Sequence, residues 1–370
     1  MSAAEFPDPT EVEGAPHPRL SAHLYGQAKA EADFLEAFNS GRLHHGWMLT
    51  GPRGVGKATL AWRIARFLLS RPEAAEAGLF GAPEPPASLE SDPQDPVCRR
   101  IAAGSEGRVF HLRRGLNGEG TALSDEIRVP EVRKMGQFLH LSAAEGGRRV
   151  VVVDAADDLA SAGANALLKL LEEPPPRVTF LLVTHQPARL LPTIRSRCRE
   201  LRLTTLAPED LALALGDAGA EVGAEALALS ALAGGSVGTA IRLLNLEGIE
   251  AYGALVALFG ALPKLDRQKA WALAESASGR QNEPRFDLIL TLLDLFLARL
   301  ARSGLCGPPL PEAAPGEAAV LARLSPDGAA AQKWAGLHQE LGARARHGKA
   351  VNLDPAALVM DMVLAISAAA

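Results

Sequence analysis

The chain has 370 residues, 48% hydrophobic and 22% charged, with 38 Lys+Arg against 43 Asp+Glu for a net charge of −5. That length suits two or three domains with cores of normal size, and the near-neutral charge excludes a highly basic nucleic-acid wrapper and an acidic disordered protein. Aromatic residues are only 5%, and the three cysteines, Cys98, Cys198 and Cys306, form no CxxC pair, so neither an all-β fold nor a disulfide framework is indicated.

Residues 1–18 are acidic and Pro-rich, without a basic or apolar segment. They read as a disordered leader rather than a signal peptide, and the chain as cytoplasmic. Residues 19–206 alternate short apolar runs with amphipathic stretches, the pattern of βαβ units in an α/β domain. Strands are expected at Trp47–Thr50, Arg108–Leu112, Arg149–Asp154, Thr179–Thr184 and Arg199–Leu203. The runs Val150–Val153 and Phe180–Val183 are continuously apolar, as central parallel strands buried on both faces require. Ser161–Glu173 is a helix stopped by Pro174-Pro175-Pro176. Residues 207–246 hold three short helices and form a small helical lid, and residues 247–370 are a larger helical domain. Segments 71–97 and 303–318 are loops. Phe286–Leu300 is apolar but too short and too charged to span a bilayer, so no membrane association is expected.

Gly51-Pro52-Arg53-Gly54-Val55-Gly56-Lys57 has the GxxxxGK form, after an expected strand and before an expected helix. Its glycines let backbone N–H groups turn onto phosphate oxygens, and Lys57 supplies charge. Ala58 stands where a Ser or Thr hydroxyl holds magnesium. Thr59 follows, but one helix position is a rotation of about 100°, so it touches phosphate rather than replacing the metal ligand. Asp154 ends an apolar strand where an acid orients metal-bound water, and Ala155 stands where a catalytic Glu is needed. Losing either part costs about 10²-fold or more. Nucleotide, ATP or ADP, is therefore expected to bind without hydrolysis and with little or no magnesium. An active ATPase is the alternative; it needs Thr59 and Asp157 or Asp158 to substitute for the missing groups.

Three segments together resemble the AAA+ clamp-loader subunits of bacterial DNA polymerase III: His44–Gly54, Asn165–Pro175 and Thr193–Cys198. The resemblance covers roughly residues 19–245 and implies a parallel five-stranded AAA+ domain, a lid and a collar that closes a ring. It further implies that Arg197, within Ser196-Arg197-Cys198, is an arginine finger for ATP bound in a neighbouring subunit, and that Thr184 is the candidate γ-phosphate sensor. Motor members carry an arginine where this chain has Gly238, which favours a non-motor member. The implied partners are motor subunits of the tau/gamma type, a clamp-opening delta subunit, and, through the complex, the sliding clamp and primed DNA. Many clamp-loader subunits carry four zinc-binding cysteines after the first helix; only Cys98 lies there, so no zinc is expected. No zinc finger, aromatic series or continuous basic stripe suggests autonomous DNA binding.

Overall fold

The computed structural model describes residues 8–71, 84–117, 119, 122–141, 147–220, 222, 223 and 225–370. Residues 72–83 of the expected loop at 71–97 lie outside this set, as do residues 1–7 of the expected leader. The chain divides into two compact units: residues 1–220 with 236–238, and residues 221–235 with 239–370.

The first unit carries strands β1 (Gly46–Thr50), β2 (Val109–Leu112), β3 (Arg149–Asp154), β4 (Val178–Thr184) and β5 (Arg199–Arg202). Its helices are α1 (Ala28–Asn39), α2 (Lys57–Ser70), α3 (Pro96–Ala102), α4 (Val129–Leu141), α5 (Ser161–Glu172), α6 (Pro192–Arg195) and α7 (Pro208–Asp217). The strands form one five-stranded parallel sheet in the order β2-β3-β4-β1-β5, the sheet that the AAA+ resemblance implied. Val150–Val153 and Phe180–Val183 lie at its centre and are at most 1% exposed, as their unbroken apolar pattern requires. Val151, Val153, Phe180 and Leu182 pack with Leu167 and Leu171 of α5 and with Val132, Met135 and Leu139 of α4.

The compact unit runs beyond the expected boundary at 206. It includes α7, expected in the lid, and takes back Ser236–Gly238. The expected leader is also corrected over residues 8–18. His17 is 3% exposed, stands edge-on to Trp62 with ring centroids 5.9 Å apart, and accepts the Arg19 N–H at Nδ1 (2.9 Å). Asp8 pairs with Arg113. The following stretch is tied to α2, where Arg66 donates to the carbonyls of Arg19 and Ser21, both at 2.7 Å. These long-range contacts override the local bias of the prolines and acids.

The second unit is helical: α8 (Ala226–Ala233), α9 (Val237–Asn245, which starts in the first unit), α10 (Gly248–Gly260), α11 (Arg267–Glu275), α12 (Glu283–Cys306), α13 (Glu317–Leu324), α14 (Gly328–Ala350) and α15 (Pro355–Ala369). Helix α12 is its spine and buries Ile289, Leu293, Phe296 and Leu300 completely. Phe259 of α10 stacks on Phe296 at 4.9 Å. Glu317 opens α13, 0% exposed, and binds Tyr252 and Arg299. Among the described residues no single helix is long and apolar enough to cross a membrane.

Candidate functional site

In a parallel sheet all strands end on the same edge, and here the carboxyl ends of β1, β3 and β4 gather the first group of expected site residues. Leaving β1, the chain turns through Gly51, Gly54 and Gly56, whose φ values are 141°, 74° and 98°. These are conformations that side-chain-bearing residues rarely adopt. Gly54 also meets a close backbone neighbour: the Val237 N–H donates to its carbonyl (2.9 Å), and a Cβ on Gly54 would stand 2.9 Å from the Gly238 nitrogen. Residues 236–238 therefore lie directly on this glycine loop, and it is Gly54, without a side chain, that lets them approach.

Lys57 is the first residue of α2 and 3% exposed. Its ammonium donates to the Gly51 carbonyl at 2.6 Å and to the Pro52 carbonyl. Burial draws its pKa down to about 8, against the opposing pull of Asp157 and Asp154. Asp154 ends β3, and burial pushes its carboxyl up to about 7, although Lys57 holds it lower than burial alone would. Ala155 follows at 6% exposed, then a 3₁₀ turn over Ala156–Asp158. Thr59 is half-buried one position beyond Ala58 on α2.

Asp157 has a structural task. It accepts the Thr184 hydroxyl, the His185 N–H (2.7 Å) and the Gln186 N–H (3.2 Å), fastening the turn after β3 to the end of β4. Thr184, the expected sensor, is 0% exposed with its hydroxyl committed to that carboxylate. The next residue, His185, was not singled out from sequence; burial and the nearby Lys57 and Arg53 hold its pKa down to about 4, so it is neutral. Asp158 pairs with Arg114 at 3.5 Å. The donor set fits a phosphate anion, through the glycine loop, Lys57 and the N-terminus of α2. It fits magnesium poorly, because Ala58 offers no hydroxyl and Asp157 is spent on the end of β4.

Ser196, Arg197 and Cys198 lie on the opposite edge. In register, Trp47 pairs with Arg199 and Thr50 with Arg202, so Arg197 precedes the amino end of β5 while the phosphate loop follows the carboxyl end of β1. The two are separated by the length of a strand, roughly 13 Å at 3.3 Å per residue. Arg197 is 36% exposed at its side chain. It donates to the Thr193 carbonyl (3.0 Å) and forms an ion pair with Glu172 at 2.9 Å. The Ser196 hydroxyl also donates to the Thr193 carbonyl, at 3.0 Å. Cys198 is half-buried beside Gly46, where a Cβ would stand 3.1 Å from its sulfur, and burial pushes its thiol up to about 11. Glu172 was missed from sequence as a site residue, although the segment that holds it had been singled out.

The chain resembles known proteins most clearly across this sheet domain. Residues 26–207 match the family model described as DNA polymerase III, delta subunit. The DNA polymerase III subunit delta' of Pseudomonas aeruginosa is 40% identical over 205 residues, covering 54% of this chain and 55% of that protein. The subunit delta' of Escherichia coli is 31% identical over 263 residues, 70% of this chain and 71% of that protein. The chain belongs to the DNA polymerase III delta' family. It is also similar to the DNA polymerase III subunit gamma of Buchnera aphidicola, 29% identical over 196 residues, 52% of this chain and 47% of that protein. The match thus spans about half the length of the Pseudomonas and Buchnera relatives. A solved gamma subunit-related protein of Thermotoga maritima aligns over 91% of this chain and 99% of its own at 17% identity, with a TM-score of 0.43.

Asp8, His17 and His111 bring their donor atoms within 4.8 Å of one another. Two features oppose a metal ion there. Arg113 already neutralises Asp8. His17 accepts the Arg19 N–H at Nδ1, which leaves its proton on the Nε2 that faces the group. Cys98 is a free thiol, 3% exposed on α3 behind the Asp95 cap.

Proposed function

We propose that this chain is the non-motor, stator subunit of the clamp loader, and that it presents Arg197 to ATP bound in a neighbouring motor subunit while the complex loads a sliding clamp on primed DNA. The observation that carries this reading is the placement of Arg197 on the sheet edge opposite its own phosphate loop. From there an arginine side chain cannot reach a phosphate in its own subunit, so a catalytic role must be exerted in trans. A guanidinium suits that role because it is always charged and forks onto phosphate oxygens as charge develops on the transferring group. Ala58, Ala155 and Gly238 support a subunit that does not itself turn over ATP.

In this reading Gly51, Gly54, Gly56, Lys57 and Thr59 hold the phosphates of ATP or ADP without hydrolysis. Asp154 and Thr184 stay behind them as framework rather than as catalysts. The partners are the tau/gamma-type motor subunits and a delta subunit.

The test is reconstitution of the complex with Arg197→Ala. The variant should assemble with unchanged stoichiometry, and DNA-stimulated ATP turnover should fall severalfold, because one site loses a group worth about 10³-fold or more at that site. Full turnover by the assembled variant would refute the reading.

A further inference from the structure

The finger is held by a residue from another element. We infer that Glu172 is a positioning residue for Arg197, setting the guanidinium in the orientation from which it meets a neighbour's phosphate. The inference rests on the finger reading above.

Glu172 is the last residue of α5, and its backbone is fixed from several sides. Leu167 and Leu171 of the same helix are 0% and 1% exposed in the core. His45, just before β1, donates from Nε2 to the Leu171 carbonyl at 3.1 Å. Pro174 follows two residues later, after the Glu173 C-cap, and the helix does not continue. The carboxylate thus stands on a rigid element, whereas Arg197 follows α6, a helix of only 4 residues. A long arginine side chain there would sample many rotamers if free.

Two anchors remove that freedom. One guanidinium nitrogen donates to the Thr193 carbonyl at 3.0 Å, and the other lies 2.9 Å from Glu172 Oε1. The carboxyl end of α5 adds partial negative charge on the same side. Among the described residues the contacts of Arg197 run through its two terminal nitrogens. A group held this way loses little further entropy when it engages phosphate.

The pair is about two-fifths exposed, 36% for Arg197 and 42% for Glu172, so the effect is modest. A surface-type pair of this kind corresponds to a change of about 1.5- to 5-fold in rate. The test uses the reconstituted complex with Glu172→Gln, Glu172→Asp and Arg197→Ala in parallel, measuring subunit stoichiometry, kcat and KM for ATP. Glu172→Gln should lower kcat about 1.5- to 5-fold with KM unchanged, because the finger acts on the transition state. Glu172→Asp should recover at least half of that loss. Wild-type kcat in Glu172→Gln beside a large loss in Arg197→Ala would overturn the inference and leave the finger intact. Faster turnover in Glu172→Gln would overturn it too, since Glu172 would then restrain the finger. So would failure of Asp to rescue. No effect of Arg197→Ala would overturn the finger reading itself.

Discussion

Replacing Glu317 by Ala should destabilise the helical second unit more than most single substitutions in the chain. The Glu317 carboxylate is 0% exposed. It accepts the Tyr252 hydroxyl at 2.5 Å, Arg299 Nε at 2.6 Å, a second Arg299 nitrogen at 2.9 Å and the Ala313 N–H at 2.7 Å. Burial and this carboxylate together push the Tyr252 phenol well above its ordinary range, so its proton stays in place to donate. Without Glu317, an arginine only 11% exposed keeps its charge and loses its partner. Stranding a buried charge costs about 3–5 kcal/mol, and the orphaned hydroxyl and N–H fall within that figure because they belong to the same network. With a urea dependence of about 2–3 kcal/mol per molar, the unfolding midpoint of this unit should drop by about 1–2 M. Urea titration of the full chain, with hydrogen exchange in α12 and α13 as the local readout, measures it. The double variant Glu317→Ala, Arg299→Met should regain much of the loss, because no charge is then left behind. A midpoint shift below about 0.3 M, or no recovery in the double variant, would refute the argument.

Two further outcomes follow from the first unit. His17 and His111 are held neutral, their pKa values drawn down to about 4 and about 3 by burial first and then by nearby cationic groups. The unfolded chain takes up these protons below about 6.5, so this stability is complete above pH 6.5 and lost as pH falls toward 4. Each histidine should cost about 1–2 kcal/mol between pH 7 and pH 5, and a urea midpoint that stays flat over that range would contradict the burial described. In calorimetric titrations of the isolated chain, ADP or ATP should bind with an affinity that changes less than about threefold when magnesium is chelated, since the residue after Lys57 carries no hydroxyl. A dependence of tenfold or more would mean that another group holds the metal.

The sheet was legible because its central strands carry the signal that burial on both faces imposes: Val150–Val153 and Phe180–Val183 admit no polar residue. The turn through Gly51, Gly54 and Gly56 was legible because its glycines serve local backbone geometry. Helix α14, with 23 residues, emerged only as part of a generally helical region, since it is polar and Ala-rich and buries only Ala331, Trp334, Leu341, Ala345 and Gly348. The Glu172–Arg197 pair joins residues 25 apart in sequence, and only the pairing of β5 beside β1 makes them neighbours. The Thr184–Asp157 hydrogen bond is of the same kind: the two residues are 27 apart in sequence, and only the fold brings them together. Composition misled at residues 8–18, where prolines and acids predicted disorder and a distant tryptophan and arginine decide the outcome.

Among the described residues strand β5 has a sheet neighbour on one side only. Its outward face is a row of charge: Arg199, Glu200 and Arg202 are exposed, and Leu201 alone turns inward at 1%. An open edge of this kind can recruit a foreign strand, and ionic side chains oppose such growth. Charge of both signs at Arg199, Glu200 and Arg202 makes this edge a poor template for a sixth strand, so the sheet can end here without a covering element.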